Sequence, residues 1–307
     1  MALHARMLVV TCRPSALARW QAQAVREALI RKFPQLKLQI RTITSEGDRR
    51  WDRPLPEIGG QGLFTSALQR AIREGQADLA VHSLKDLPVE EAPGLCLGAV
   101  LRREDPRDVL VSTHGSRFED LPRGAVVGTS SLRRQAQILA MRPDLRIKPI
   151  RGNVETRVRK VREGEYDAAV MAAAGLLRLE LQEEIDDWFS LDQVLPAPGQ
   201  GALAVECRSQ DDELREFLMA LDSESVRAAV TAERAFLTAL GGGCSAPVGA
   251  FAQAGKGDGV EMKAVVARPD GSRLLRAEGR GSDPIELGRT LASQVIRRGA
   301  HEVLLDV

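Results

Sequence analysis

Arginine recurs where the chain turns from apolar runs into helices. Arg13 precedes Ser15, Arg133 and Arg134 stand one turn past Thr129 and Ser130, and Arg151 and Arg157 flank Gly152-Asn153. A guanidinium is a planar fork that takes a carboxylate through two parallel hydrogen bonds, which an ammonium does not. Repeated forks at such junctions suit an anionic ligand; for any one of these arginines the alternative is a surface ion pair, and the clustering argues for binding. Lys85-Asp86 follows the apolar run Leu79-Ala80-Val81. A carboxylate there can stay ionised beside a developing cation, or simply cap the turn before Pro88. Gly241 to Cys244, followed by Ser245-Ala246-Pro247, makes a glycine-rich loop that can present a thiol as nucleophile or attachment point. The alternative is an inert loop cysteine.

Other chemistries find no pattern. Cys12, Cys96, Cys207 and Cys244 lie 84, 111 and 37 residues apart, which fits no zinc or redox spacing, so no metal is expected. Cys96 and Cys207 sit in apolar strands and read as core, Cys12 as part of a polar turn. His82 and His114 lack the partners of a nucleophile triad, and no glycine-rich phosphate loop is present. The 43 Lys and Arg nearly cancel the 42 Asp and Glu, and only 4% of residues are aromatic, which argues against nucleic acid as a partner. The basic run Arg151 to Arg162 then reads as the solvated face of a helix. No apolar run approaches a membrane span, and the N-terminal run is too short for a signal peptide, so a soluble, cytoplasmic chain is expected.

The elements that must position these residues alternate strand and helix, which implies parallel α/β layering. Met7 to Val10 is a strand, the following helix is capped near Ser15, Leu36 to Ile40 is a strand, a helix starts near Thr65, and Leu79 to Val81 is a third strand. The plan then repeats. Ala125 to Val127 leads through Gly128 to Ser131 into a helix, Leu145 to Ile150 forms a strand, and Asn153 starts another helix. Gly75-Gln76-Ala77-Asp78-Leu79-Ala80-Val81 recurs as Gly164-Glu165-Tyr166-Asp167-Ala168-Ala169-Val170, identical at four of seven positions.

Ile40 and Ile147 are 107 residues apart but Asp78 and Asp167 only 89, so the first lobe carries about 18 more residues between Thr44 and Gly62. That segment is rich in glycine and proline and reads as a lid or binding loop, with a tolerated insertion as the alternative. Leu195 to Gly201 is a hinge-like linker, and Ala202 to Glu206 a strand that can return to lobe one. Val226 to Leu240 is a long helix. Glu261 to Ala267 and Arg273 to Ala277 form a hairpin about Pro269-Asp270-Gly271, and a last helix spans Ile285 to Ile296.

Taken together, Gly59 to Phe64, Ala80 to Asp86, Arg103 to Asp108, Gly128 to Arg134, Arg151-Gly152-Asn153, Leu195 to Gly201 and Gly242-Gly243-Cys244 resemble the porphobilinogen deaminase (hydroxymethylbilane synthase) family along almost the whole chain. The resemblance implies two periplasmic-binding-protein-like α/β lobes with a cleft between them and a small α+β third domain with an antiparallel sheet. Residues 1–101 with 202–221 would form lobe one, 102–201 lobe two, and 222–307 the third domain. It implies a transferase that joins four porphobilinogens to a covalent dipyrromethane cofactor, one per chain, and releases hydroxymethylbilane. Cys244 matches the attachment residue and Asp86 the catalytic aspartate. Arg13, Ser15, Lys85, Thr129, Ser131, Arg133, Arg134, Arg151, Gly152, Arg157 and Arg178 match the ligands of cofactor and substrate.

Each porphobilinogen carries two carboxylates, so six rings present twelve to six arginines and one lysine, and only partial clamping is expected. Gln61 and Glu57 depart from residues often basic in the family, and Gly241 stands where relatives often have glutamate. A monomer is expected from the same resemblance. The non-enzymatic rival is a two-lobed solute-binding or sensor protein, which would leave the cysteine loop without a purpose.

Overall fold

Leu8, Val10 and Cys12 alternate with Met7, Val9 and Thr11 along the first strand, and that period of two decides which helix covers which face. The computed structural model describes residues 6–45, 65–243, 246–255 and 259–305. Its first compact unit comprises the described residues of Met1–Arg103 together with Ala202–Arg227. It contains β1 (Met7–Cys12), α1 (Ala16–Lys32), β2 (Lys37–Thr42), α2 (Ser66–Arg73), β3 (Leu79–Ser83), β4 (Leu95–Val100), β10 (Leu203–Arg208) and α6 (Asp212–Met219).

The sheet order is β2-β1-β3-β10-β4. The first three strands run parallel, and β10 pairs antiparallel with both β3 and β4. The layering is therefore mixed rather than purely parallel. The reason is connectivity: β10 comes in from a distant part of the chain, so no helical crossover fixes its direction. Leu8, Val10, Leu79 and Val81 pack under α1 against Ala22, Val25 and Leu29; Ala80 faces the other way, toward Leu68 and Ile72 of α2. Cys12 shares the α1 face, so it belongs to the core and not to a polar turn, and burial pushes its thiol up to about 11.

The second unit comprises Glu104–Gly201 with the described residues of Ala228–Val307. Its first sheet uses β5 (Asp108–Ser112), β6 (Val126–Gly128), β7 (Arg146–Lys148), β8 (Ala168–Ala172) and β9 (Asp187–Trp188), in the order β7-β6-β8-β5-β9. β7, β6 and β8 are parallel and β5 antiparallel to β8, which repeats the plan of the first sheet. α3 (Leu132–Met141) covers Val127, Ala168 and Val170 through Ile138, while α4 (Val154–Arg162) and α5 (Ala173–Arg178) cover Ala169 and Met171. Ile138 is fully buried, and its truncation to alanine would cost about 2–5 kcal/mol.

The same unit holds an antiparallel sheet of β11 (Val248–Ala254), β12 (Val260–Ala267) and β13 (Leu274–Gly281), with α7 (Glu224–Ala239) entering it and α8 (Pro284–Arg297) and α9 (Ala300–Leu305) completing it. Two glycines show how closely these parts pack. At the β12–β13 turn Gly271 takes φ +78°, and a Cβ there would stand 2.6 Å from the Ala140 backbone nitrogen of α3; a Cβ on Gly288 would stand 2.4 Å from the Ala232 carbonyl oxygen. No described helix is long and apolar enough to cross a membrane.

Candidate active site

In the first unit, parallel pairing of β1 with β3 brings both strands out at one sheet edge, where ligands of α/β sheets bind. Arg13 and Ser15 follow β1. Ser15 caps α1, its Oγ accepting from the Ala18 backbone N–H at 3.2 Å, and its own O–H is left to donate. Lys85 and Asp86 follow β3 in a single 3-10 turn, Leu84 to Asp86. Leu84 is buried and fixes that turn, donating its N–H to the Ala202 carbonyl at 3.0 Å and accepting from Leu87 N–H at 3.1 Å. Asp86 itself is exposed, and among the described residues its carboxylate has no hydrogen bond or ion pair, so it does not cap the turn before Pro88. Behind it on β3, buried His82 places Nε2 2.9 Å from Glu206 Oε2, and Gln69 donates to both oxygens of Glu206.

In the second unit the loops after β6, β7 and β8 likewise leave one edge of the sheet. Thr129 Oγ1 accepts from Ser131 N–H at 3.1 Å, and Ser131 Oγ caps α3 by accepting from Arg134 N–H. Both hydroxyls keep a hydrogen to donate. Asn153 caps α4; just before it Gly152 takes φ +121°, with a hypothetical Cβ only 2.6 Å from Thr156 Cγ2, so this bend needs glycine. Arg157 Nε donates to the Gly152 carbonyl at 2.9 Å, which ties the arginine to the bend. Arg178 is buried and donates to the Gly201 carbonyl at 2.6 Å; desolvation pulls it down to about 10, with Glu104 opposing, and it stays charged at neutral pH.

Arg133 and Arg134 are held by a residue that local sequence pattern did not single out. Asp108, fully buried at the start of β5, accepts from Arg133 Nη1 at 2.7 Å, from Arg134 Nη2 at 2.8 Å and from Gln200 Nε2 at 2.8 Å. Burial alone would raise its carboxyl, but the two guanidinium groups outweigh that and hold it well below the usual carboxylate range. Arg133 also donates to the Leu195 carbonyl and Arg134 to the Val170 carbonyl. The only available signal was an acid leading an otherwise apolar strand, inside the Arg103 to Asp108 stretch.

The cysteine loop follows α7. Gly241 takes φ +66°, its N–H bonds to the Thr238 carbonyl and that of Gly242 to the Leu237 carbonyl, a double closure that ends the helix. Gly241 is thus the residue type this closure favours, where a glutamate would be strained. Cys244 lies outside the described residues, as do residues 46–62 of the predicted Thr44 to Gly62 lid, Glu57 and Gln61 among them.

Two family models match the chain. Residues 8–216 match "Porphobilinogen deaminase, dipyromethane cofactor binding domain", and residues 227–297 match "Porphobilinogen deaminase, C-terminal domain". The chain belongs to the porphobilinogen deaminase family. It is an enzyme, a transferase of tetrapyrrole biosynthesis that carries a dipyrromethane cofactor-binding domain.

Similar solved structures include the VFT2 domain of Bordetella pertussis BvgS (15% identity, 74% of this chain and 91% of that chain, TM-score 0.42). A YaeC-family lipoprotein of Enterococcus faecalis V583 is 13% identical over 71% of this chain and 92% of that chain, with TM-score 0.43. The periplasmic aliphatic sulphonate binding protein SsuA of Escherichia coli is 13% identical over 76% of this chain and 69% of that chain, with TM-score 0.40. The porphobilinogen deaminase assignment rests on the family models alone.

The described residues fit a carboxylate-bearing dipyrrole. Among the described residues, Arg134 Nε and Arg151 Nη1 are buried donors without a hydrogen-bond partner, the kind of group that an incoming carboxylate would satisfy.

Proposed function

We propose that this deaminase releases ammonia from four porphobilinogens in turn, joins them head to tail on a dipyrromethane primer held by Cys244, and frees linear hydroxymethylbilane with water. The observation that supports the catalytic part is the carboxylate of Asp86, exposed just past β3 and without a hydrogen bond or ion pair among the described residues. When bound, the dipyrromethane supplies a free pyrrole α-carbon as the nucleophile.

The chain's own residues do the rest. Asp86 accepts the pyrrole N–H of the reacting ring and offsets the positive charge that develops as ammonia leaves, so it acts as a preorganised anion. Lys85, one residue away in the same turn, holds a carboxylate of that ring. Arg13, Arg151, Arg157 and Arg178 hold further acetate and propionate groups, with the hydroxyls of Ser15, Thr129 and Ser131 and the bend at Gly152 completing the set. Arg133 and Arg134 share Asp108, so their combined charge offers room for one carboxylate rather than two. That sharpens the expected partial clamping, because one of the seven cationic charges is already spent inside the protein. In this reading residues 1–101 with 202–221 carry catalysis, 102–201 bind carboxylates and 222–307 attach the cofactor, in a cytoplasmic monomer.

The test is consumption of porphobilinogen by the purified chain with formation of hydroxymethylbilane. Release of ammonia without a four-ring product would reject the elongation reading.

A further inference from the structure

Besides Cys244, a pair of thiols stands in the sheet of the first unit. Cys96 of β4 and Cys207 of β10 are direct partners across an antiparallel pair, and their sulfurs are 3.8 Å apart. Directly opposed antiparallel residues have Cα atoms about 4.5–5.5 Å apart, within the roughly 4.4–6.8 Å that a disulfide spans. The sulfurs therefore need side-chain rotation, not strand movement, to bond. Gly98 supplies the space: a Cβ there would stand 3.1 Å from Cys207 Sγ and 2.6 Å from Leu218 Cδ1.

The two thiols are unequal. Cys207 is fully buried, and burial followed by its neighbour Cys96 pushes its thiol far up, so it is protonated at neutral pH. Cys96 is half-buried, the more exposed residue of the two. We infer that Cys96 and Cys207 form a reversible disulfide that staples β4 to β10 when the chain meets a peroxide. The peroxide transfers one oxygen to the Cys96 sulfur, giving a sulfenic acid and one water. The Cys207 sulfur then displaces the hydroxyl, the S–S bond forms, and the Cys207 proton leaves with that hydroxyl as a second water. An external dithiol reverses the bond by becoming a disulfide itself. Because the resolving thiol is protonated and enclosed, closure is slower than at an exposed thiolate. The bond closes a long loop, which restricts the unfolded chain.

The test uses the full-length chain as purified. It is exposed to hydrogen peroxide at neutral pH, alkylated in denaturant and mapped by peptide mass spectrometry. The expected result is a cross-linked peptide pair joining Cys96 and Cys207, near-complete loss of alkylation at both, unchanged alkylation at Cys12, and full recovery after dithiothreitol. Cys207→Ser should drive Cys96 on to sulfinic acid, and Cys96→Ser should leave Cys207 reduced. A wild-type chain in which Cys207 stays alkylatable, or in which either sulfur pairs with Cys12 or Cys244, overturns the inference. If the serine variants do not fold, the wild-type map decides alone.

Discussion

Asp78 and Asp167 make the same pair of bonds at the same point of two separate sheets. The Asp78 N–H donates to the Val9 carbonyl at 2.9 Å and its carboxylate accepts from Val9 N–H at 2.8 Å; Asp167 does the same with Val126, at 3.0 and 2.6 Å. Each follows a helix ended by a left-handed glycine, Gly75 or Gly164. Each also stands immediately before a strand that runs parallel to the one it grips. The four-in-seven repeat is therefore structural: it fixes the register of the central strands, where a one-residue slip would turn every apolar side chain to the wrong face.

Asp78→Asn should destabilise the chain by about 1–3 kcal/mol, because buried acceptor contacts to Arg6, Arg208 and Val9 are weakened. Burial opposes ionisation of Asp78, yet these partners hold its carboxyl below the usual range. A lowered folded pKa contributes stability above the unfolded value of about 3.9, and that contribution is lost as pH falls through the folded value. The gap between wild type and variant in urea unfolding should thus be full at neutral pH and shrink on acidification below about pH 4. A gap that grows in acid would contradict the assignment.

Asp86→Asn should leave stability within about 0.5 kcal/mol of wild type, since the carboxylate is exposed and has no partner among the described residues. Turnover should fall by about 10² or more through loss of one preorganised charge. Steady-state kinetics beside a melting curve separates the two effects, and near-normal turnover would refute the catalytic role.

Asp108→Asn should behave in the opposite way, costing about 3–5 kcal/mol because two buried guanidinium groups lose their counter-charge. Combining it with Arg133→Met should recover part of that loss, as expected for directly coupled groups. Denaturant titration of the single and double variants checks this; strictly additive losses would show that the pair is not coupled.

These residues separate features with a local sequence signal from features without one. The caps at Ser15 and Ser131 and the β12–β13 hairpin were legible because their signals are local: a hydroxyl before an apolar-periodic run, and Pro269-Asp270-Gly271 between two strands. β5 was not, because all five of its residues are buried and show no alternation. The place of β10 between β3 and β4 was out of reach too, since pairing across more than a hundred residues leaves no local trace. Asp108 was hidden for the same reason: its partners Arg133 and Arg134 lie 25 and 26 residues away. The carboxylate chemistry was legible in residue type, while the neutralising partner was not.

Gly241→Ala should cost about 1 kcal/mol by thermal unfolding, because φ +66° strains any residue with a Cβ although no atom of the described residues lies within 4 Å to clash with it. No loss on substitution would mean that the helix end rearranges.

The attachment of the oligopyrrole to Cys244 is read most directly by intact mass under denaturing conditions. Wild-type protein should carry the mass of two linked pyrroles, Cys12→Ala should carry it too, and Cys244→Ala should lack it. A wild-type mass equal to that of the bare chain, or an adduct that survives in Cys244→Ala, would contradict the account.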